Sequence, residues 1–369
     1  MINFYSSVQN LLSILLGIVG IGFLIGFHEL GHFAFCKLFK VKTPSFSIGF
    51  GPQLFKKQIG ETEFSLSAIP FGGYVEIAGI QEVGQGEQAS YKDQSNQSFA
   101  KKPYWQKLLI LSGGIIFNIL ISYLIMILLF SLGAPTSPLI NPKAIPPKIG
   151  TIIKDLAAHQ AGLLEGDLIK SVNLQPVSSS LELNQIIQAS PKTIVQLEIV
   201  RNHETINIPV TVGSAQLGDK EIGQLGIQFS QTYNQPLSLV ASVKTGIKTT
   251  NQMLSNMTSQ FKSMFQHRQY QAVGGPIMII SEVANSAKHG LRIFLLLLVV
   301  ISLNLAVLNL IPLPILDGGQ ILFTTIEALI GRSIPEKIRL GIHYACWFSA
   351  ILLAIYLSYQ DILKLIKRF

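Results

Sequence analysis

Four long runs of uncharged residues dominate the pattern of hydrophobic and polar positions along the chain. The runs contain 17 to 26 residues each, and they are Leu11–Phe27, Leu108–Gly133, Ile293–Leu316 and Leu340–Gln360. A helix needs about 20 apolar residues to cross a hydrocarbon layer of about 30 Å. The pattern therefore predicts four membrane-spanning helices.

A different pattern fills the segment between the first two runs. Apolar and polar residues alternate, with glycines among them, in PSFSIGFGPQLFKK (residues 44–57) and TEFSLSAIPFGGYVEIAG (residues 62–79). Alternation with a period of two predicts strands, so we expect short β-hairpins here. Because unpaired backbone groups cannot face lipid, such hairpins would line a protein-enclosed cavity at membrane depth.

The segment between the second and third runs has the pattern of a separate domain. It opens with the proline-rich linker APTSPLINPKAIPPKIG, and GTIIKDLAAHQAGLLEGDLIKSVN then predicts a strand, a short helix, a turn and a second strand. TIVQLEIV and TINIPVTV predict a hairpin at residues 193–212. The Ala-Gly-Leu at 161–163 and the Gly-Asp-Leu-Ile at 166–169 resemble the PDZ domain, a small β fold that captures peptide ends or strands. A steric spacer is the alternative role for such a domain.

These patterns divide the chain into four parts. Residues 1–133 form an N-terminal membrane core, residues 134–230 a linker and PDZ domain, residues 231–291 an extracytoplasmic amphipathic connector, and residues 292–369 a C-terminal membrane core. The connector has the composition of helices that can lie on a membrane surface.

Composition and charge support a membrane location and give an orientation. Hydrophobic residues make up 49% of the chain and charged residues only 13%. The net charge of +8 does not indicate a nucleic-acid partner, because nine lysines lie between Lys37 and Lys107 and none precede them. By the positive-inside rule, the segment between the first two spans is cytoplasmic and the predicted PDZ domain is extracytoplasmic. The basic tail at residues 364–368 opposes this orientation, but the bias of the first loop is larger.

Polar residues capable of metal chemistry interrupt the first span in FHELGHFAF, residues 27–35. His28 and His32 lie four residues apart, so on a helix both imidazoles face one side and can bind one metal ion. Glu29, beside the first histidine, can take a proton from water. A five-residue motif alone is a weak signal. Within a membrane span, however, a charged side chain costs about 2.5–3.5 kcal/mol, which metal binding offsets, so we expect one Zn²⁺ per chain.

A catalytic zinc usually has three protein ligands and one open position. Asp317, at the end of the third run, and His343, in the fourth, are the candidates for the third ligand. His28 lies roughly 25 Å along the first span, near the cytoplasmic boundary that the third run also reaches at Asp317. Pro312 and Pro314 break the helix before Asp317 and let it turn inward. Asp317 is therefore favoured, and His343 is expected to be a hydrogen-bonded residue of the helix bundle.

HELGH in the first span, LDGG after NLIPLP in the third and a PDZ domain between them resemble the site-2 protease family of intramembrane zinc metalloproteases. The resemblance extends over nearly the whole chain and is to the bacterial branch that includes the regulator-of-sigma-E protease. It implies a multi-pass α-helical membrane protein with four transmembrane helices, membrane-associated β-hairpins and an inserted extracytoplasmic PDZ domain. It also implies that His28, His32 and Asp317 bind zinc and that Glu29 is the general base. The implied location is the bacterial inner membrane, with the active site near the cytoplasmic face.

The resemblance implies further site residues. Asn304 and Asn309 match two asparagines thought to handle the substrate or stabilise the transition state, although hydrogen bonding between helices is the alternative. One β-element resembles the family segment proposed to hold unfolded substrate as an added strand, which gives the candidate substrate-binding residues Ile69, Pro70, Phe71, Gly72, Gly73 and Tyr74. The second span departs from the family, because SGGIIFN has Gly113-Gly114 where a Gly-Pro pair is common, although Asn118 is retained.

The expected function is cleavage of a transmembrane helix near the cytoplasmic face, after another protease has shortened the outer portion of the substrate. The expected partners are single-pass membrane proteins or remnant signal peptides, a peptide ligand at the PDZ domain, and membrane lipid. A metal transporter and a catalytically silent PDZ scaffold are the alternatives. The chain shows no internal repeat and retains Glu29, which argues against transport, and all three candidate ligands are present, which argues against a silent scaffold.

Overall fold

The computed structural model describes residues 2–80, 93, 95–140, 145–217, 220–230, 232–267 and 275–366. Within these residues, four helices are long and apolar enough to cross a membrane, namely Leu11–Leu38, Gly113–Leu132, Leu291–Asn309 and Lys337–Leu363. Each overlaps one of the four hydrophobic runs, and the number of membrane passes stays a prediction.

The described helices and strands alternate between apolar helical regions and a β-rich region. The helices are α1 Ile2–Leu38, α2 Tyr104–Leu111, α3 Gly113–Leu132, α4 Ala157–Gln160, α5 Ser180–Gln188, α6 Leu239–His267, α7 Pro276–Lys288, α8 Leu291–Asn309, α9 Asp317–Ile330 and α10 Glu336–Ile366. The strands are β1 Ser45–Ile59, β2 Thr62–Val75, β3 Ile149–Ile152, β4 Leu168–Val172, β5 Gln175–Pro176, β6 Ile194–Arg201, β7 Glu204–Thr211, β8 Gly213–Leu217, β9 Lys220–Gln224 and β10 Ile227–Phe229. Two compact units result: one combines Met1–Leu128 with Val243–Phe369, and the other is Leu129–Ser242.

The third hydrophobic run is not one continuous helix in the structure. α8 ends at Asn309, and Asp317 is the first residue of α9 rather than the last residue of a span. Pro312 and Pro314 explain the interruption, because proline lacks the N–H that a helix interior needs. The broken segment places Asp317 at a helix N-terminus.

Helices of the first unit are held by close packing and by a few polar contacts. A Cβ on Gly20 of α1 would lie 2.5 Å from the Phe294 ring of α8, so the glycine allows these two helices to approach. α6 packs against α3, where the Tyr123 hydroxyl donates to Asn251. The buried Asp361 of α10 accepts the Gly275 N–H at 3.0 Å, just before α7 begins. The connector helices thus pack on helices that are candidate membrane spans.

β1 and β2 form the hairpin predicted between the first two spans, but the hairpin is strongly bent. Residues 45–48 of β1 pair with residues 63–66 and also with residues 73–75, so this stretch has a neighbour on each side. Phe46 and Val75 pack in a buried cluster with Cys36 of α1. The inner end of the hairpin is therefore anchored to the helix that carries His28 and His32.

The second unit has its own hydrophobic core. A four-stranded sheet has the order β5-β4-β6-β7, and β3 pairs with β10. β6 and β7 coincide with the hairpin predicted at residues 193–212, and Asn202 and His203 turn between them with positive φ. The core consists of side chains from these strands and from α5, including Ile169, Leu183, Leu197, Ile199 and Val210. The identity of this unit as a PDZ domain stays a prediction.

An ion pair between a buried carboxylate and a partly exposed guanidinium joins the Gly-Asp turn of this unit to its sheet. Arg201 of β6 donates to both oxygens of Asp167, at 2.8 and 2.7 Å, and to the Gly162 carbonyl at 3.0 Å. Asp167 is 1% exposed and also accepts the Leu164 N–H at 2.8 Å. Burial alone would raise the pKa of Asp167, but the hydrogen bonds from Arg201 and Leu164 outweigh it and hold this pKa below its usual value.

Replacing Arg201 with Met is expected to lower the unfolding free energy of this unit by about 1.5–3 kcal/mol at pH 7, since a buried charged acceptor loses its partner. Because the pKa of Asp167 is lowered in the folded state, the stabilisation exists above the unfolded pKa of about 3.9 and disappears as the pH falls through the folded value. Urea unfolding of the 129–242 fragment at pH 7 and in acid measures both effects. Lys192→Met, which removes an exposed ion pair with Glu221, is the control and should change little.

Candidate metal centre and active site

The structure brings the two histidines of α1 and the aspartate of α9 together. The Nε2 atoms of His28 and His32 are 3.3 Å apart. Asp317 Oδ2 lies 3.4 Å from Nε2 of His28, and its Oδ1 lies 3.5 Å from Nε2 of His32. One ligand atom from each of the three side chains lies within 4.8 Å of the others, and the side chains of His28, His32 and Asp317 are only 14%, 9% and 18% exposed.

These separations fit a zinc ion. Zinc bonds of about 2.0–2.1 Å place the corners of a tetrahedron about 3.3–3.4 Å apart. The distance between the two nitrogens matches one edge of such a tetrahedron, and the Asp317 carboxylate, which has one oxygen 3.4 Å from the first nitrogen and the other 3.5 Å from the second, can supply a third corner. The fourth corner is left for a non-protein ligand. Asp317 Oδ2 is buried and accepts no hydrogen bond from the described residues, which is costly unless a cation lies beside it.

The outer nitrogens of both imidazoles have partners that orient the rings. His32 Nδ1 lies 2.9 Å from the Ile110 carbonyl, which can only accept, so Nδ1 carries the proton and Nε2 has a free lone pair. His28 Nδ1 lies 3.0 Å from the side-chain nitrogen Nδ2 of Asn118, whose Oδ1 is buried and has no hydrogen-bond partner among the described residues. With the amide oxygen turned toward His28, Nδ1–H donates to it and Nε2 is again free for a metal.

Asn118 is itself held in place, a role that the sequence did not reveal. Its backbone carbonyl accepts from the Ser122 hydroxyl, one turn later on α3, and from the Ser302 hydroxyl of α8, both at 2.8 Å. The retained asparagine of SGGIIFN therefore connects α8 and α3 to a candidate zinc ligand of α1. We interpret Asn118 as a positioning residue of the metal centre.

Glycines bring α3 against α1 at the height of the two histidines. A Cβ on Gly31 would lie 2.2 Å from the Gly113 carbonyl oxygen, so the two backbones are in direct contact. A Cβ on Gly114 would lie 2.3 Å from Cε1 of the His28 imidazole ring, which is too close for two non-bonded atoms. Gly114 thus leaves the space that the His28 ring occupies, and Gly113 allows the backbone contact with Gly31.

The side chain of Glu29 extends from α1 toward the end of β2. It is partly buried, and a Cβ on Gly73 would lie 3.2 Å from Cγ of Glu29 and 2.8 Å from the Ser47 carbonyl oxygen. Gly72 has a φ of +110°, a conformation that favours glycine, and the Tyr74 ring stacks on Phe50 with centroids 6.4 Å apart. The predicted substrate segment is thus adjacent to the predicted base.

The other predicted site residues differ in how closely they approach the centre. Ile69 is 51% exposed in β2, whereas the side chains of Pro70 and Phe71 lie outside the described residues. Asn304 and Asn309 are partly buried in the last part of α8, and among the described residues neither hydrogen bonds to His28, His32 or Asp317. His343 is buried and faces Gln320, 3.2 Å away, as expected of a bundle residue.

Comparison with known proteins places this geometry in a family. Peptidase family M50 matches residues 16–353. A Nostoc protein named a zinc metalloprotease is 29% identical over 90% of this chain and 90% of its own length. The regulator of sigma-W protease RasP of Bacillus subtilis is 24% identical over 94% of this chain and 97% of its own length. A solved PDZ domain of an SdrC-like protein from Listeria monocytogenes is 17% identical, covers 24% of this chain and 87% of its own, and has a TM-score of 0.20. With a family match across nearly its whole length, this chain belongs to peptidase family M50, the site-2 proteases, and is an intramembrane zinc metalloprotease.

Proposed function

We propose that this protein hydrolyses a peptide bond in or near the transmembrane segment of a membrane-anchored protein, with Zn²⁺ held by His28, His32 and Asp317. The observation that carries the proposal is the triangle of ligand atoms from these three residues, all within 4.8 Å of one another, with both histidines on a helix that is apolar enough to span a membrane. A metal site on such a helix can act on a peptide bond that lies within the membrane.

Different residues of this chain have different roles around the metal. When bound, zinc supplies a Lewis acid that polarises a carbonyl and acidifies water. Glu29, next to His28 and outside the triangle of ligand atoms, takes the proton of the attacking water and returns it to the leaving amine. Asn118 and the Ile110 carbonyl orient the two imidazoles. In the same proposal, Asn304 and Asn309 contact the substrate from α8.

Residues Ile69, Pro70, Phe71, Gly72, Gly73 and Tyr74 would hold the substrate as an added strand. The Glu76 N–H donates to the Ser45 carbonyl at 2.9 Å, so in the antiparallel ladder the pair Ser47–Tyr74 is hydrogen-bonded and the pair Ile48–Gly73 is not. The backbone N–H and C=O of Gly73 consequently point away from β1, toward the side on which a strand can add. A transmembrane helix must unwind before cleavage, and such an edge offers its freed backbone groups new partners.

The relatives and the lysines support the proposed substrate class and location. The Bacillus subtilis relative is named a regulator of sigma-W protease, which supports membrane-anchored regulators of transcription as substrates, with remnant signal peptides as a second kind. The lysines between Lys37 and Lys107 support a cytoplasmic position for β1 and β2 and an extracytoplasmic position for residues 134–230, in a bacterial inner membrane. A peptide ligand at the PDZ-like unit belongs to this proposal. So does lipid contact with α10, whose Leu352 and Ile355 are 52% and 62% exposed.

Removing zinc tests the proposed function. Purified protein in liposomes, with a single-span substrate tagged at both ends, is expected to release a cytoplasmic fragment. A chelator should abolish the release, and adding Zn²⁺ back should restore it. The unfolded fraction, followed in parallel by protease resistance, controls for damage to the fold. Cleavage that persists after zinc has been removed would contradict the proposal.

Crosslinking tests the substrate strand. A photo-reactive amino acid at Ile69 is expected to capture the uncleaved substrate when the base has been removed by Glu29→Gln, because Ile69 is exposed at the proposed edge. The same amino acid at Gln58, exposed near the far turn of the hairpin, should give no adduct. Adducts of equal yield at the two positions would mean that the hairpin contacts the substrate without strand pairing.

A further inference from the structure

Gln320 of α9 lies three residues after Asp317 and is 6% exposed, yet the metal centre does not use it. Its Nε2 donates to the Pro314 carbonyl at 3.1 Å and faces Nε2 of His343 at 3.2 Å. Its Oε1 accepts from Nη2 of Arg339 at 2.7 Å. The side-chain amide therefore connects three separate parts of the chain.

The orientation of this amide is fixed by its partners. The Pro314 carbonyl can only accept and the Arg339 guanidinium can only donate. Turning the amide over would place oxygen against oxygen at one end and N–H against N–H at the other. His343 must then accept the second amide proton with its Nε2 lone pair, so every polar group of Gln320 has a partner.

Pro314 belongs to the segment between α8 and α9, which folds back over the start of α9. A Cβ on Gly318 would lie 2.5 Å from the Ile311 carbonyl oxygen, and one on Gly319 would lie 2.1 Å from the Leu313 carbonyl oxygen. The segment is thus in backbone contact with the residues that follow Asp317. The bond from Gln320 to Pro314 closes this turn, with Asp317 inside it.

The other end of the network lies on the fourth predicted span. Arg339 and His343 are one turn apart on α10, and both contact Phe323 of α9. The guanidinium lies 5.8 Å from the ring centroid, and the imidazole stacks on the ring at 5.7 Å. His343 is 3% exposed, so the contact is made in the protein interior.

We infer that Gln320 is a positioning residue for Asp317 and that Arg339 and His343 hold it, so the metal affinity of the centre depends on the fourth span. The inference rests on the proposed role of Asp317 as a ligand. Partners in the second layer of a metal site commonly change metal affinity by about 10–100-fold when they are removed. Gln320 acts one step further out, through the backbone turn that contains the ligand.

Zinc affinity of the full-length protein in detergent, measured by competition with a chromophoric chelator, tests the inference. Gln320→Ala removes all three contacts, and Gln320→Glu keeps an acceptor for Arg339 but cannot donate to Pro314. Both are expected to weaken zinc binding by roughly 10-fold, the lower end of that range, and to lower kcat at limiting zinc, with KM little changed. Gln360→Ala, which removes a contact with the Tyr356 hydroxyl elsewhere on α10, is the matched control and should bind zinc normally.

Gln320→Glu decides the question if the alanine variant does not fold, because the contact with Arg339 is preserved. Unchanged zinc affinity in Gln320→Glu would overturn the inference. Asp317→Asn separates this failure from failure of the proposed site. If Asp317→Asn weakens zinc binding and Gln320→Glu does not, only the positioning role is wrong. If neither weakens it, Asp317 is not a ligand and the proposed metal site fails as well.

Discussion

Replacing Glu29 with Gln is expected to lower the rate of substrate cleavage by about 10²–10⁴-fold, the usual contribution of a general base. Glutamine has nearly the same shape as glutamate but cannot take a proton from water. Glu29 is outside the triangle of ligand atoms formed by His28, His32 and Asp317, so the variant should bind zinc as the unaltered protein does. The expected result is therefore an intact, zinc-loaded protein that does not cleave.

The measurement compares initial rates on the doubly tagged substrate in liposomes at equal protein and equal zinc content. Glu61→Gln is the matched control, because Glu61 is exposed in the β1–β2 turn and the chemical change is identical. The control should cleave at the unaltered rate. If Glu29→Gln and Glu61→Gln cleave equally, the proton must be taken by another group. If Glu29→Gln loses zinc, its role is structural rather than chemical.

The elements that sequence could predict are those that follow from local periodicity. The spacing of His28 and His32 gives a shared helical face whatever the surrounding fold, and the uncharged runs locate the spans by length alone. Asp317 could be chosen because proline and glycine mark where the chain must leave a helix. The same prolines end α8 at Asn309, earlier than the hydrophobic run suggested, since hydrophobicity carries no information about backbone N–H groups.

What sequence could not predict are contacts between distant residues. Asn118 and His28 are separated by 90 positions, and Gln320 and His343 lie on different helices. Both pairs depend on how helices pack, which residue spacing along one helix does not specify. The asparagine retained in SGGIIFN indicated a role for position 118. Its partner, His28, is determined by how α3 packs against α1. The close approach of Gly73 to Glu29 likewise depends on the bend of the β1–β2 hairpin.

A single methyl group at Gly114 is expected to disable the metal centre. In Gly114→Ala the new Cβ would lie 2.3 to 2.5 Å from three atoms of the His28 ring, far inside van der Waals contact. The ring cannot move away and remain in place for both Asn118 and the metal. The backbones of Gly31 and Gly113 are already in contact, so α3 cannot come closer to α1, and moving it away would also move Asn118 from His28. We expect zinc affinity to fall by at least about 10–100-fold, as for loss of a partner that orients a ligand, and cleavage to fall with it.

Metal content and cleavage of the full-length protein measure this effect, with Gly341→Ala as the control. Gly341 lies in α10 with nothing within 4 Å of an added Cβ, so this change should leave both quantities intact. A Gly114→Ala protein that folds and binds zinc normally would show that the His28 ring has room to move. Such a result would weaken the assignment of His28 as a fixed ligand. Loss of zinc with the helices still folded, seen by circular dichroism, would instead mean that the position of the His28 ring in this chain depends on the absence of a side chain at Gly114. Excess Zn²⁺ should then restore part of the cleavage, because the chemistry of Glu29 is unchanged.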